Sequence, residues 1–302
     1  MRFTRVLALG ASALVLLSAC STGGGSKPTV KVGSDGFYEA KLMAEIYGQA
    51  LEAGGYTVDR TGIGIGARKV SAPALESGQI DLKPEYIGSG LAFYEPGKQT
   101  GDPAANATAL QAVLTAKGGG ITVLTYSPAA DQNAFVVRKD TATQFNLAKL
   151  SDTTAVQDQL KWGLATDCKT NAVCAAALKS AYGLDPKNIT PLAACDTPMA
   201  QALVNKTIDV AELCSTQPDI AVNGFVVLSD DKQTQPADNL APLVRNDLLA
   251  QVDKTSFEKI LNDVSAKMDT ATLTDLGKQI TVDKKDVAAV AKAWLQTAGL
   301  VK

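Results

Sequence analysis

The spacing of apolar residues along this chain switches repeatedly between a period of two and a period near 3.6. Residues 29–33 (TVKVG) form a short β run. From Phe37 onward, Leu42, Met43, Ile46, Tyr47, Ala50 and Leu51 mark one helical face, and Gly54-Gly55 stop it. Residues 56–60 read as a strand, and 70–77 as a helix with Pro73 in its first turn. Residues 80–82 open another strand, 103–117 suit a helix and 121–125 a strand.

The middle of the chain repeats this grammar. Strands are expected at 134–137, 162–165, 189–193, 208–213 and 225–228, and helices at 172–182 and 199–204. After Pro242 the pattern becomes helical, over 257–268, 273–280 and 287–297. In the last of these, Val287, Val290, Ala291, Trp294 and Leu295 share a face that reads as core. Strands alternating with helices predict an α/β fold with mainly parallel sheets, arranged as two lobes. Ligands in open α/β sheets collect beyond the carboxyl ends of strands, so functional residues are sought there.

The first twenty residues follow a different rule. Arg2 and Arg5 precede an apolar run, 6–17, that is too short to span a bilayer comfortably. Leu17-Ser18-Ala19-Cys20 then resembles a bacterial lipobox, and STGGGSK follows as a flexible tether. The expectation is a signal peptide over 1–19, a lipidated Cys20 and a tether over 20–28. A diacylated, N-acylated cysteine anchors permanently to the outer face of the cell membrane.

Composition narrows the chemistry. Hydrophobic residues make up 46% of the 302 and charged residues 20%, which supports a folded core. Net charge is −2, or 27 − 31 = −4 without Arg2 and Arg5, so nucleic acid is not an expected partner. There is no histidine, which removes Ser-His-Asp and Cys-His catalysis and His-ligated metal. Four cysteines follow Cys20: Cys168, Cys174, Cys195 and Cys214. An even number in an exported chain indicates two disulfides, with three possible connectivities. Cys168 and Cys174 are close enough for a local clip. Cys195 and Cys214 each end a strand-like run, and neighbouring parallel strands would bring them together, so Cys168–Cys174 and Cys195–Cys214 are the expected pairs. No CxxC occurs, and no metal or cofactor is expected.

Gly62, Gly64 and Gly66 (GIGIG) match neither nucleotide-binding fingerprint and read as a turn ahead of the next helix. Gly33-Ser34-Asp35 lies likewise between a strand and a helix, where capping and ligand contact are compatible. No carboxylate pair stands out as acid and base, Ser215-Thr216 has no histidine partner, and no enzymatic activity is expected. The segment IDLKPEYIGSG, 80–90, is the most informative: Tyr86 projects at a strand end, Gly88 and Gly90 permit close approach, and Ser89 offers a hydroxyl.

Six segments in order, VGSDGFYEAKLMAEIYGQALEAGGYTV, ALESGQIDLKPEYIGSG, NAFVVRKD, LATDC with its following cysteine, ALVNKTIDVAELCST and VVLSDDKQTQPADNLAPLVR, resemble the ProX-like (OpuAC-type) solute-binding lipoproteins of osmoprotectant ABC importers, which take glycine betaine, carnitine or choline. The resemblance runs over about residues 31–299. It implies a two-lobed, type II periplasmic-binding-protein-like fold with two crossovers, near 125–133 and 228–241, and a ligand cleft closed by a hinge. Lobe one is then 29–128 with 240–302, and lobe two 129–239.

Relatives that bind trimethylammonium groups use a cage of aromatic rings. One cage tyrosine falls on Tyr86, but Asn133, Cys214 and Asp238 stand at the other three positions, and Ala40 replaces a glutamine that often follows Glu39. Phe135, Tyr38, Phe93, Tyr94 and Tyr126 are the candidates for substitute rings. The polar replacements suit a hydroxylated or amide-bearing solute, and Asp238 suits a cation. The expected site is Ser34, Tyr86, Ser89, Asn133, Cys214 and Asp238. The expected partners are a small solute and separate permease and ATPase subunits, with the chain itself monomeric. The rival reading is a ligand-sensing receptor or surface interaction protein on the same fold, not coupled to import.

Overall fold

The computed structural model describes residues 27–302. The expected leader, Cys20 and the tether up to residue 26 lie outside the described residues. In chain order the strands are β1 (Thr29–Asp35), β2 (Thr57–Gly66), β3 (Leu82–Tyr86), β4 (Ile121–Val123), β5 (Asn133–Val137), β6 (Trp162–Ala165), β7 (Ile189–Leu192), β8 (Val210–Cys214), β9 (Val226–Val227) and β10 (Leu240–Arg245). They form two sheets, ordered β2-β1-β3-β10-β4 and β7-β6-β8-β5-β9. The chain passes between the sheets twice, from β4 to β5 and from β9 to β10, and each sheet with its helices is one lobe.

The sheets are mixed, which corrects the expectation of mainly parallel ones. β1 runs parallel to β2 and β3, and β6 to β7 and β8. β10 runs antiparallel to β3 and β4, and β5 to β8 and β9. The reason is topological. β5 and β10 enter from the other lobe, so each starts at the cleft end of its sheet: Leu240 pairs with Tyr86, and Asn133 with Cys214. The two crossovers also bridge each other, Ala130 to Asn239.

Four helices follow the first-lobe strands: α1 (Tyr38–Ala53), α2 (Arg68–Ser77), α3 (Ile87–Tyr94) and α4 (Pro103–Ala116). The second lobe carries α5 (Lys139–Phe145), α6 (Ala177–Tyr182), α7 (Thr197–Val204) and α8 (Asp219–Val222). The tail supplies α9 (Asn246–Leu249), α10 (Lys254–Lys267), α11 (Thr270–Thr281) and α12 (Val287–Thr297). Leu42, Met43, Ile46, Tyr47, Ala50 and Leu51 of α1 are all buried, packed with Phe257, Leu261, Leu273 and Leu295 of the tail. Aspartates at helix entrances satisfy free N–H groups: Asp102 caps α4, Asp196 α7, Asp253 α10, Asp269 α11 and Asp286 α12.

Three local expectations are corrected. GIGIG is not a turn but the end of β2, with register shifts against β1. A Cβ on Gly62 would stand 2.4 Å from Ile80 Cγ2 and 3.0 Å from the Val32 carbonyl oxygen, so the strands approach too closely for a side chain there. Pro73 lies inside α2, beyond its first turn. The helix expected over 172–182 divides into a π-helical turn, Ala172–Ala176, and α6.

Both disulfides form as expected, Cys168–Cys174 and Cys195–Cys214, with Cα separations of 5.1 and 4.8 Å. The second does not join neighbouring strands, because β6 lies between β7 and β8. Cys195 stands three residues past β7, with φ +55°, in the loop that carries the chain over the end of β6. Each disulfide lies beside one acid, Asp131 or Glu212, but bonded sulfurs offer no thiolate to a metal.

Candidate functional site

Strands β1, β2 and β3 of one lobe and β6, β7 and β8 of the other end at a shared cavity of about 340 Å3. It is bordered by the residues that finish or follow those strands, as expected for an open α/β sheet. Gly36, Phe37, Arg68, Tyr86 and Ser89 come from lobe one, and Ala165–Asp167, Ala193–Asp196 and Cys214 from lobe two. The crossovers add Asp131, Gln132, Asn133 and Asp238.

Of the six expected site residues, the structure places five on this cavity: Tyr86, Ser89, Asn133, Cys214 and Asp238. Ser34 is set back from it and fully buried. Its Oγ donates to the Asp35 carbonyl oxygen (2.9 Å) and accepts from the Gly64 N–H (2.9 Å), so both its roles are spent on the β1–β2 junction. Asp35, one residue on, borders the cavity instead.

The rings are fewer than a full cage. Phe37 and Tyr86 line the cavity, with centroids 5.9 Å apart and planes tilted by 34°. None of the proposed substitutes joins them. Phe135 is buried in the lobe-two core. Tyr94 and Tyr126 pack on the outer core of lobe one, with Phe93 edge-on to Tyr94. Tyr38 is buried against Gly277. Phe37 had no helical or strand periodicity to mark it, since it occupies the N-cap of α1.

Five aspartates border the cavity, Asp35, Asp131, Asp167, Asp196 and Asp238, against one cation, Arg68. Most are already engaged. Asp35 Oδ1 lies 3.1 Å from Lys83 Nζ, and Lys83 also contacts Glu85 Oε2 at 2.6 Å. Arg68 Nη2 meets Glu85 Oε1 at 2.9 Å. Burial alone would raise the Glu85 carboxyl, but Arg68 and then Lys83 outweigh it and hold it down at about 2. Asp238 accepts from the Ser89 N–H (2.8 Å) and the Ser89 hydroxyl, closing the N-terminus of α3. Burial pushes Asp238 up to about 7, against the pull of Ser89 and Arg68. Asp196 caps α7.

Two charged groups keep capacity. Arg68 Nη1 and the Asp167 carboxylate make no side-chain hydrogen bond among the described residues. One offers donors from lobe one, the other a negative charge from lobe two. The Cys195–Cys214 disulfide, with Ala193 and Ala194, forms the neighbouring wall. The arrangement can hold a small polar or charged molecule. The cysteine sulfurs are bonded, and the Ser89 hydroxyl is donated to Asp238 at the N-terminus of α3.

The model of the substrate binding domain of the ABC-type glycine betaine transport system matches residues 28–297. The glycine betaine-binding protein YehZ of Escherichia coli K12 is 30% identical over 98% of this chain and 99% of its own length. The carnitine transport binding protein OpuCC of Listeria monocytogenes is 26% identical over 93% of this chain and 92% of its own. Among solved structures, one described as a glycine betaine/carnitine/choline ABC transporter superposes with a TM-score of 0.68 at 23% identity. It covers 90% of this chain and 99% of that one, and it speaks to the fold.

Proposed function

The chain belongs to the family of substrate-binding domains of ABC-type glycine betaine transport systems, and from that premise we propose that it is a lipid-anchored extracytoplasmic receptor that captures a betaine-type solute and hands it to a separate permease. The observation that carries this reading is the pairing, in one interlobe cavity, of the Phe37–Tyr86 rings with two charges that still have capacity, Arg68 Nη1 and Asp167. A quaternary ammonium group suits aromatic faces in acid-rich surroundings, and a carboxylate suits a guanidinium. Asn133, Cys214 and Asp238 stand where caged relatives carry rings. With two rings in place of four, at about 0.5–2 kcal/mol each, binding is expected to be a few kcal/mol weaker than in a full cage.

The proposed lobes are 29–128 with 240–302, and 129–239, and the solute bridges them. Export and anchoring rest on Arg2, Arg5, the apolar run after them and Cys20. Among the described residues no helix is long and apolar enough to cross a membrane. Cys20→Ser should shift the protein out of the detergent phase, and unchanged partition would defeat that part of the proposal.

The solute is tested by thermal shift against glycine betaine, carnitine, choline, sorbitol and a dicarboxylate. A quaternary ammonium compound at 100 times its Kd should add about 2.7 kcal/mol of stability. Stabilisation by the polyol or the dicarboxylate alone would overturn the assignment.

A further inference from the structure

Beside the solute cavity lies a second polar cluster whose members come from both lobes and from the first crossover. Glu39, in the first turn of α1, is 1% exposed. Its Oε1 accepts a hydrogen bond from the Tyr86 hydroxyl, and its Oε2 accepts one from Thr216 Oγ1 at 2.6 Å. Glu39 and Tyr86 belong to lobe one, whereas Thr216 follows β8 in lobe two. Asp131, also buried, accepts from the Thr216 N–H (3.0 Å) and Ser215 Oγ (2.9 Å), so Thr216 joins the two carboxyls.

The groups that face Glu39 are Tyr86 from β3, Asp131 from the crossover and Thr216 from the loop after β8. Tyr38 adjoins it on α1, and the charge of Asp219 of α8 acts on Tyr38. The ionisable members of this set are all acids. Two adjoining buried carboxyls without a cation between them hold a proton, because ionising both leaves like charges unpaired in a desolvated site.

We propose that Glu39 is a positioning residue of cleft closure: it ties Thr216 of lobe two to Tyr86 and α1 of lobe one, and it is freed to water when the lobes part. The inference rests on the solute-binding reading above. Burial, and after it the charge of Asp131, raises the Glu39 carboxyl well above its ordinary range, and burial pushes Asp131 up to about 6. With the lobes apart, Glu39 meets water and titrates as an ordinary carboxyl. The closed form therefore binds more protons. Closure is favoured at low pH and weakens as pH rises, by up to about tenfold per pH unit.

The test compares the parent with Glu39→Gln from about pH 7 to 10, where Asp131 is already ionised. Small-angle X-ray scattering reads lobe separation with and without glycine betaine, and titration calorimetry reads betaine affinity. In the parent, lobe separation should grow or betaine affinity should fall as pH rises across this range. Glu39→Gln, neutral at that position throughout, should show a clearly shallower profile in the same readout, keeping only the change that Asp238 contributes near pH 7. Thr216→Val should be more open, or bind less tightly, than the parent at pH 7, and this variant carries the test should Glu39→Gln not fold. Parallel pH profiles in the parent and Glu39→Gln, or no pH dependence in either readout, would overturn the latch. Scattering profiles that part as expected while betaine binds neither protein would support the latch and reject the solute.

Discussion

Tyr86 serves two structures at once. Its ring borders the cavity beside Phe37, yet the side chain is only 5% exposed and its hydroxyl bonds Glu39. Truncating it would disturb core, latch and wall together, so Phe37 is the cleaner probe of the wall. Glu212 is a separate case, set behind the Ala165 stretch of the cavity wall. It is buried in lobe two, where one oxygen accepts from the Ala165 N–H at 2.8 Å. Cys174 Sγ lies 3.2 Å from the same oxygen, a disulfide sulfur with no hydrogen to give. Burial raises Glu212 from 4.5 to about 7. A carboxyl raised on folding stabilises fully below its unfolded value and loses that contribution as pH climbs through the folded one. Glu212→Gln should therefore match the parent in urea unfolding near pH 4 and exceed it near pH 8, by on the order of 3 kcal/mol. Equal stability differences at the two pH values would contradict this. The cavity positions of Tyr86, Ser89, Asn133, Cys214 and Asp238 were legible in the sequence because each stands at a strand end, just beyond one or in a crossover. Phe37, Arg68 and Asp131 were not, because the turns that aim them leave no periodic trace. Ser34 shows the limit of the same rule: it lies near a strand end but is set back from the cavity, its hydroxyl committed to Asp35 and Gly64.

Helices were the easiest elements to read. α12 falls where its apolar spacing put it, and α1 differs by one residue at its start. Sheet direction was harder, because local patterning carries no information on which lobe a strand has come from. The glycine run in β2 shows how a tertiary contact overrides turn chemistry: Ile80 lies over Gly33 and Gly62 and leaves no room for side chains on either strand. The Cys195–Cys214 pairing was legible from the ends of two apolar runs, while the strand between them was not. That disulfide closes a loop of sequence separation 19 and fixes the Ala193–Asp196 wall to β8. Replacing both cysteines by alanine should cost about 3 kcal/mol of unfolding free energy on the chain-entropy estimate. It should also weaken solute binding, by freeing that wall. Denaturant unfolding and calorimetry on the double variant check both, and an unchanged protein in both would show that the bridge constrains neither.

The whole molecule has one architectural consequence for its function. Each lobe has its own sheet with apolar cores packed against it, and the strand termini of the two sheets meet across the cleft. Thr216 of lobe two to Glu39 of lobe one, at 2.6 Å, is one polar contact between the lobes. Such contacts break and reform at low cost, which is what a receptor that must enclose and then release a solute requires. The most direct test is isothermal titration of the parent and of Phe37→Ala with glycine betaine near pH 6.5. The account predicts one saturable site per chain in the parent. In Phe37→Ala the affinity should fall about ten- to hundredfold, with the Tyr86–Glu39 bond left in place. Equal affinity in the two proteins, or no binding by the parent, would contradict a betaine-type solute held against these rings.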